Sequence, residues 1–540
     1  VKFTTYLLLC LIAFSCSPAS PDLGENLPAP TPAPFEGLDT IATNDWWNRG
    51  ENSIIDVDVS RDSVFAFGIY TVSKNVLKMS AQLFPLYPKE SREVRLSVLK
   101  DGKWTEIQKS NVNDIGWSAL FRIEDWDMTK DTPYRLSHGS EANFEGLIRK
   151  DPEHKDEIVL AALSCNSNHD RGDRANYVRN INLQDPDLVF FAGDQSYDHK
   201  EHTAAWLKWG MQFREVFRNR PCIAIPDDHD IGQGNIWGEG GKKASSSAGN
   251  DGGYFYDADY VKMVERCQTA HLPDPFDPTP ILQGINVYYT SFIVGGVDFA
   301  IIEDRKFKSG PAGKIPQQGP RPDHILNPNY DPKSIDVPGL VLLGDRQLNF
   351  LDQWAKQKEG VAMKAVLSQT GFCGGAHLHG SKDNRLHADM DSNGWPQTGR
   401  NKALEKIRAA NAVHIGGDQH ISTVIKHGIE EFDDGPWAFI VPASVNDYYG
   451  RWWWPEDEKP GKNANDRLPW TGQYLDGFDN KITMHAYANP ENEADGAGYG
   501  LIRFKKDEGT VTFECWPRTA DVTKDDSGQF PGWPVKVTMP

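Results

Sequence analysis

Cysteine is scarce: the chain has seven in 540 residues, at positions 10, 16, 165, 222, 267, 373 and 515. Two fall in the apolar start. The other five are odd in number and irregularly spaced, which excludes a dense disulfide framework and leaves at least one thiol free for another role, metal ligation among them. Long hydrophobic runs are missing beyond the first sixteen residues, so the body of the chain offers no segment able to span a bilayer. Basic residues are also short, 57 Lys and Arg against 76 Asp and Glu for a net charge of −19. That deficit argues against a nucleic-acid backbone as a stable partner. It does not exclude a small anionic ligand, because a buried cation cluster overrides the global sign and exposed charges are screened beyond about 10 Å. No repeat of solenoid period is visible, and 540 residues exceed what one core organises, so two domains are expected.

The start reads Val1-Lys2, an apolar stretch from Tyr6 to Phe14, then Ser15-Cys16. This predicts a signal peptide over residues 1–16. A Cys at the first mature position is similar to the lipobox of bacterial lipoproteins, with Ala13 where Leu is usual; the alternative is a leader cleaved elsewhere. Residues 17–36 are rich in Pro, Ala and Ser and read as a flexible tether. The expectation is an exported protein, periplasmic or on the cell surface, touching the membrane only through a lipid on Cys16.

Residues 37–150 carry short alternating runs, Ser63–Tyr70, Val94–Leu99 and Ser118–Ile123, with turn signals such as Asp101-Gly102. They predict a small β-sandwich of fibronectin or immunoglobulin type. From residue 151 onward the pattern changes. Apolar strands end abruptly in polar clusters: Ile158–Leu163 in Ser164-Cys165-Asn166, Leu188–Ala192 in Gly193-Asp194-Gln195, Cys222–Pro226 in Asp227-Asp228-His229-Asp230, Ala365–Leu367 in Ser368-Gln369, and Ala412–Ile415 in Gly416-Gly417-Asp418-Gln419-His420. Five strands delivering polar side chains at their C-terminal ends is the pattern of an α/β fold whose ligand site lies outside those ends. Helix-like stretches Asp345–Gln357 and Ala403–Ala410 supply flanking layers.

In sequence order, Gly193-Asp194, Asp228-His229-Asp230 and Gly417-Asp418-Gln419-His420 resemble the ligand stations of calcineurin-like metallophosphoesterases. Gly193-Asp194-Gln195-Ser196-Tyr197 matches the Gly-Asp-x-x-Tyr of purple acid phosphatases, and Ser164-Cys165 is similar to the motif that opens the alkaline phosphatase D branch. The resemblance implies a four-layer αββα sandwich over 151–540 and metal ligands at Cys165, Asp194, Tyr197, Asp228, Gln369, Asp418 and His420. Thiolate and phenolate suit Fe3+, while the carboxylates at 228 and 418, where neutral ligands are usual, favour Ca2+ at a second site, with Mn2+, Mg2+ or Zn2+ as alternatives.

The resulting expectation is hydrolysis of phosphate mono- or diesters by metal-activated hydroxide. His229 would act as general acid, its pKa raised by a hydrogen-bonded carboxylate, or else lie behind the ligands. Arg305 would touch a non-bridging oxygen or form a surface ion pair. Asp230, Trp452 and Trp453 would contact substrate. The aromatic run Tyr448–Pro455, with Trp395 and Trp437, would line a carbohydrate cleft or pack between loops. The substrate is then a small or polymeric anionic ester, with carbohydrate linkage open. Two other readings stand beside this one: a carbohydrate sulfatase on the same scaffold, without the Cys/Ser-x-Pro-x-Arg signature of formylglycine enzymes, and a carbohydrate-binding lipoprotein whose metal site has decayed, supported by Gln369 and Asp418.

Overall fold

The computed structural model describes residues 32–42, 54–55, 59–379, 381, 384–448, 450–452, 465, 467–488, 490, 492–524 and 528–540. The leader, Cys16 and Trp453 lie outside the described residues.

Seven strands come first: β1 (Phe65–Ser73), β2 (Val76–Leu83), β3 (Glu93–Lys100), β4 (Lys103–Asn111), β5 (Ser118–Ile123), β6 (Thr132–His138) and β7 (Ala142–Ile148). They pair as β1-β2-β5 and β4-β3-β6-β7. In β3 and β6 buried and partly exposed residues alternate, as half-buried strands require. The strand β1 departs from the expected alternation, with all nine residues buried. Its Phe67 packs edge-on against Trp206 and Trp209 of the helix His202–Phe217. Gly210 of that helix comes so near that a Cβ would sit 1.9 Å from the Phe67 ring. One apolar cluster therefore runs from the β-rich segment into the region that follows.

That region begins with β8 (Glu157–Asn166), α1 (Ala175–Gln184), β9 (Leu188–Phe191), α2 (His202–Phe217), β10 (Cys222–Ala224), α3 (Asp228–Ile231) and α4 (Ala258–Thr269). It continues through β11 (Thr290–Val294), β12 (Val297–Ile301), β13 (His324–Ile325), α5 (Gly344–Lys356), β14 (Met363–Leu367), β15 (Leu378–His379), β16 (Ala388–Asp389), α6 (Gln397–Ala409) and β17 (Ala412–Gly416). The last strands are β18 (Ser422–His427), β19 (Trp437–Ile440), β20 (Ala443–Val445), β21 (Gly450–Arg451), β22 (Gly472–Leu475), β23 (Lys481–Ala488), β24 (Gly498–Lys505), β25 (Thr510–Pro517) and β26 (Val535–Thr538).

Two mixed sheets organise this region: β10-β9-β8-β24-β25-β26, with β20 beside β8, and β11-β12-β14-β17-β19-β18-β23-β22. The five strand ends singled out in the sequence divide between them, β8, β9 and β10 in the first and β14 and β17 in the second. Leu160, Phe190 and Ile223 of the first sheet share an apolar cluster with Phe299, Leu367 and Ile415 of the second. The residues of β8 that alternate with these, Val159, Ala161 and Leu163, join the cluster holding Tyr177 of α1 and Phe213 of α2. Burial on both faces explains why β8 reads as a continuous apolar run. Phe350 and Leu351 of α5 and Leu404 and Ile407 of α6 cluster with Ala300, Val366 and Ala412 of the second sheet. The five described cysteines are all free and buried. No helix among the described residues is long and apolar enough to cross a membrane.

Candidate metal centre

The strand ends are tied together by backbone bonds, which is how loops from two sheets present one site. Cys165 N donates to Gly193 O at 3.2 Å and Asn166 N to Asp194 O at 2.8 Å, joining the ends of β8 and β9. Asp418 N, after β17, donates to the Ser164 hydroxyl at 3.1 Å. The preceding Gly417 makes this approach feasible, since a Cβ there would lie 2.1 Å from Ser164 Oγ. Cys165, Asp194, Asp418 and His420 all have left-handed backbones, at φ of 52°, 57°, 70° and 53°. Such strain costs about 1–3 kcal/mol per residue and gathers where geometry serves function.

Three overlapping donor groups result, and Asp194 belongs to all of them. Cys165, Asp194 and His420 each offer a ligand atom within 4.8 Å of the others, as do Asp194, Asp227, Asp228 and Asp418, and as do Asp194, Asp228 and His229. The Tyr197 hydroxyl lies 2.9 Å from Asp194 Oδ2 and 3.0 Å from His420 Nε2, which joins it to the first group. Burial pushes the carboxyls of Asp194, Asp227 and Asp228 well above the usual range, and neighbouring carboxylates push further. Two carboxylates no more than 4.8 Å apart repel by about 3.5 kcal/mol or more at an effective dielectric of 20. Four such groups beside one guanidinium need more positive charge than the side chains supply. Asp228 Oδ1 and His420 Nδ1 are also buried without a hydrogen-bond partner, a cost that a bound cation relieves. These residues fit a pair of cations, the first taking S, O and N donors and the second carboxylates alone.

Several sequence expectations need correction. Gln369 is engaged by other partners: its amide nitrogen donates to Pro226 O at 3.1 Å and to the Tyr288 hydroxyl at 2.8 Å, and its oxygen accepts from Asp304 N at 3.3 Å. Arg305 is neither on the surface nor free to meet substrate. It is buried, with Nε 2.7 Å from Asp227, Nη1 2.7 Å from Asp391 and Nη2 2.8 Å from Asp418. It holds the acids in place. Asp230 does not face substrate either, since its oxygens accept from the backbone amides of Asp194, Gln195 and Asp227 at 2.8, 3.0 and 2.9 Å.

His229 does lie beside Asp194 and Asp228, but no carboxylate raises its pKa. Its Nδ1 meets His199 Nε2 at 2.6 Å, and burial, then His199, holds it well below the usual histidine value. Trp452 is buried, packed near Tyr474 with its indole N–H on Trp470 O at 3.2 Å. Trp395 is likewise buried, bonded to Ile335 O.

Sequence reasoning missed Asp227, Asp391 and Thr370. Asp227 stands one residue before the matched motif, so the run of three aspartates in four residues was a usable signal. Asp391 reaches Arg305 from a loop 86 residues away, and Thr370 Oγ1 donates to Asp418 Oδ2 at 2.6 Å. Neither position follows from any local pattern.

The chain matches no family model and no curated protein. Solved structures do resemble it. With the structure of PhoD it aligns at a TM-score of 0.58 and 14% identity, over 89% of this chain and 90% of that one. With the purple acid phosphatase PPD1 isolated from yellow lupin (Lupinus luteus) seeds the TM-score is 0.53 at 10% identity, over 87% of this chain and 73% of that one. At these identities the likeness is one of fold.

Proposed function

We propose that this chain is a metal-dependent hydrolase of phosphate esters, acting on monoesters or diesters. The observation that supports it most is Asp194, shared between a Cys165–His420 group and an all-carboxylate group at the strand ends of a fold held in common with two phosphatases. In this reading the layers form an αββα sandwich over 151–540, preceded by a fibronectin-like unit over 37–150. The first group takes Fe3+, the second Ca2+ or another cation that prefers oxygen.

Two cations bound there would polarise the phosphoryl oxygens and make a water acidic enough to attack. The chain's own residues do the rest. Asp194 fixes the spacing of the two groups. Arg305 braces Asp227 and Asp418 through its bonds to both. With Nδ1 of His229 engaged by His199, Nε2 is the nitrogen that serves the leaving oxygen, and the histidine pair passes the proton from outside. The burial of Trp452 takes one residue from the aromatic run that would line a carbohydrate cleft, which weighs toward a phosphate ester over a sulfated glycan. Asp418, once a sign of decay, sits inside the carboxylate group.

A panel of phosphomonoesters, phosphodiesters, nucleotides and sulfated glycans tests the assignment. Turnover of a phosphate ester, abolished by chelation and restored by added cations, is expected; turnover of sulfate esters alone overturns it. Export and anchoring at Cys16, with 17–36 as tether, belong to the same proposal. A Cys16→Ser protein that stays as membrane-bound as the parent would refute the anchor.

A further inference from the structure

Beside the centre lies a second group of potential ligands that the hydrolase reading does not use. His324 of β13 and Asp389 of β16 are direct cross-strand partners, so their side chains leave the same face of the ribbon. His379 arrives from β15, which is held by pairing with β21. One ligand atom from each of the three lies within 4.8 Å of the others. His379 Nε2 is 2.9 Å and His324 Nε2 3.8 Å from Asp389 Oδ2.

The surroundings are built for a ligand. His324 is buried, 5% exposed, and its Nε2 has no hydrogen-bond partner, with Asp323 Oδ2 at 3.6 Å and Asp389 Oδ2 at 3.8 Å. An unsatisfied buried ring nitrogen is destabilising, and a cation in the group would remove that cost. The other side chains already have the outer partners that metal ligands require. His379 Nδ1 meets the Tyr448 hydroxyl at 2.8 Å, which orients the ring and leaves Nε2 to coordinate. Asp389 Oδ1 accepts the Asp391 amide at 3.0 Å, which fixes the carboxylate. The neighbouring Asp323 cannot serve as the ligand in its place, since Arg321 and Asn235 occupy it at 2.7 and 2.8 Å.

We propose that His324, His379 and Asp389 form a further cation site, distinct from the Asp194 centre, that takes a borderline divalent ion such as Zn2+. Two imidazoles and one carboxylate are the donor set such ions prefer, and three protein ligands leave a coordination position open. The site flanks the main centre. The Tyr448 ring lies 5.0 Å from the His379 ring and 5.6 Å from that of His420, and Asp391, bonded to Asp389 on one side, pairs with Arg305 on the other. An anionic oxygen of a ligand at the main centre is the natural occupant of the open position.

The site does not depend on the hydrolase reading, and its test keeps the two apart. The metal-stripped full chain is dialysed against Co2+, an optical stand-in for Zn2+, and the bound cation is counted by elemental analysis and by visible absorption. The parent should hold one more equivalent than His324→Ala/His379→Ala, whereas Asp194→Asn should keep that equivalent and its absorption band while losing the main centre. A folded double variant with the parent's cation count and band overturns the site. Should the double variant not fold, Tyr448→Phe removes only the hydroxyl that orients His379: a rise in Kd of about 10- to 100-fold is expected, and an unchanged Kd overturns the proposal.

Discussion

Replacing Arg305 with methionine, Arg305→Met, probes the electrostatics of the centre directly. The guanidinium is buried and bonded to Asp227, Asp391 and Asp418. Breaking a buried pair by removing one partner costs about 3–5 kcal/mol, because the other charge stays behind. Unfolding entropy of about 2.1 cal/mol/K per residue, over 540 residues, gives a slope near 1.1 kcal/mol/K, so the cost appears as a fall in Tm of about 3–5 °C. The fall should depend on metal. With cations bound, Asp227 and Asp418 keep a positive partner after the substitution; with cations removed, Arg305 is the main one they have. Calorimetry of parent and variant, each with and without chelator, should therefore show the full loss in the chelated pair and a clearly smaller one in the loaded pair. Equal losses in both would mean that the carboxylates do not share their charge with a bound cation, and the reasoning would fail.

Asp39, bonded to Thr203 N at 2.8 Å, has its carboxyl pushed up to about 7 by burial. Its folded form binds a proton that the unfolded chain has lost, so its contribution to stability falls as pH rises from about 4 to 7. Between pH 5 and pH 8 the loss is about 2–3 kcal/mol. Asp39→Asn removes that slope, so the Tm of the variant should gain on the parent by about 2–3 °C over the interval; a constant difference contradicts the assignment. His229→Ala should lower turnover of alkyl phosphates by about 10²–10⁴-fold and that of nitrophenyl phosphates much less. Equal losses with metal content intact would point to a role in binding. Tyr197→Phe should shift or remove the visible absorption expected of a phenolate and thiolate on Fe3+, and a colourless active parent without iron would defeat that metal assignment.

What the sequence made legible was what local periodicity controls. The apolar runs before residues 164, 193, 227, 368 and 416 are strands in the structure, and polar residues cluster just past them. The donors were named through the resemblance of short motifs at strand ends, where the sheet fixes the backbone: Cys165 lies at the end of β8, and Asp194 and Asp418 follow β9 and β17. Side-chain direction in the longer loops was not legible. Gln369 occupies the position of a ligand but turns toward Pro226 and Tyr288, a choice set by partners 81 and more residues away. Arg305 read equally well as a substrate contact or a surface pair; only assembly of three distant carboxylates around it decides its place. The run Tyr448–Trp452 has an aromatic composition suited to a cleft or a core, and the burial of Trp452 depends on packing with Tyr474 that no window of sequence contains. The flanking histidines were legible as residues but not as a group, because β13, β15 and β16 are two-residue strands too short for any periodic signal.

The most direct test of the central claim is elemental analysis of the parent beside Asp194→Asn, both purified without chelator. Asp194 is the residue common to all three donor groups of the centre, so the parent should carry at least two cations more per chain than the variant, iron among them. A folded parent whose metal content equals that of Asp194→Asn would contradict the two-cation centre and the hydrolysis proposed to depend on it.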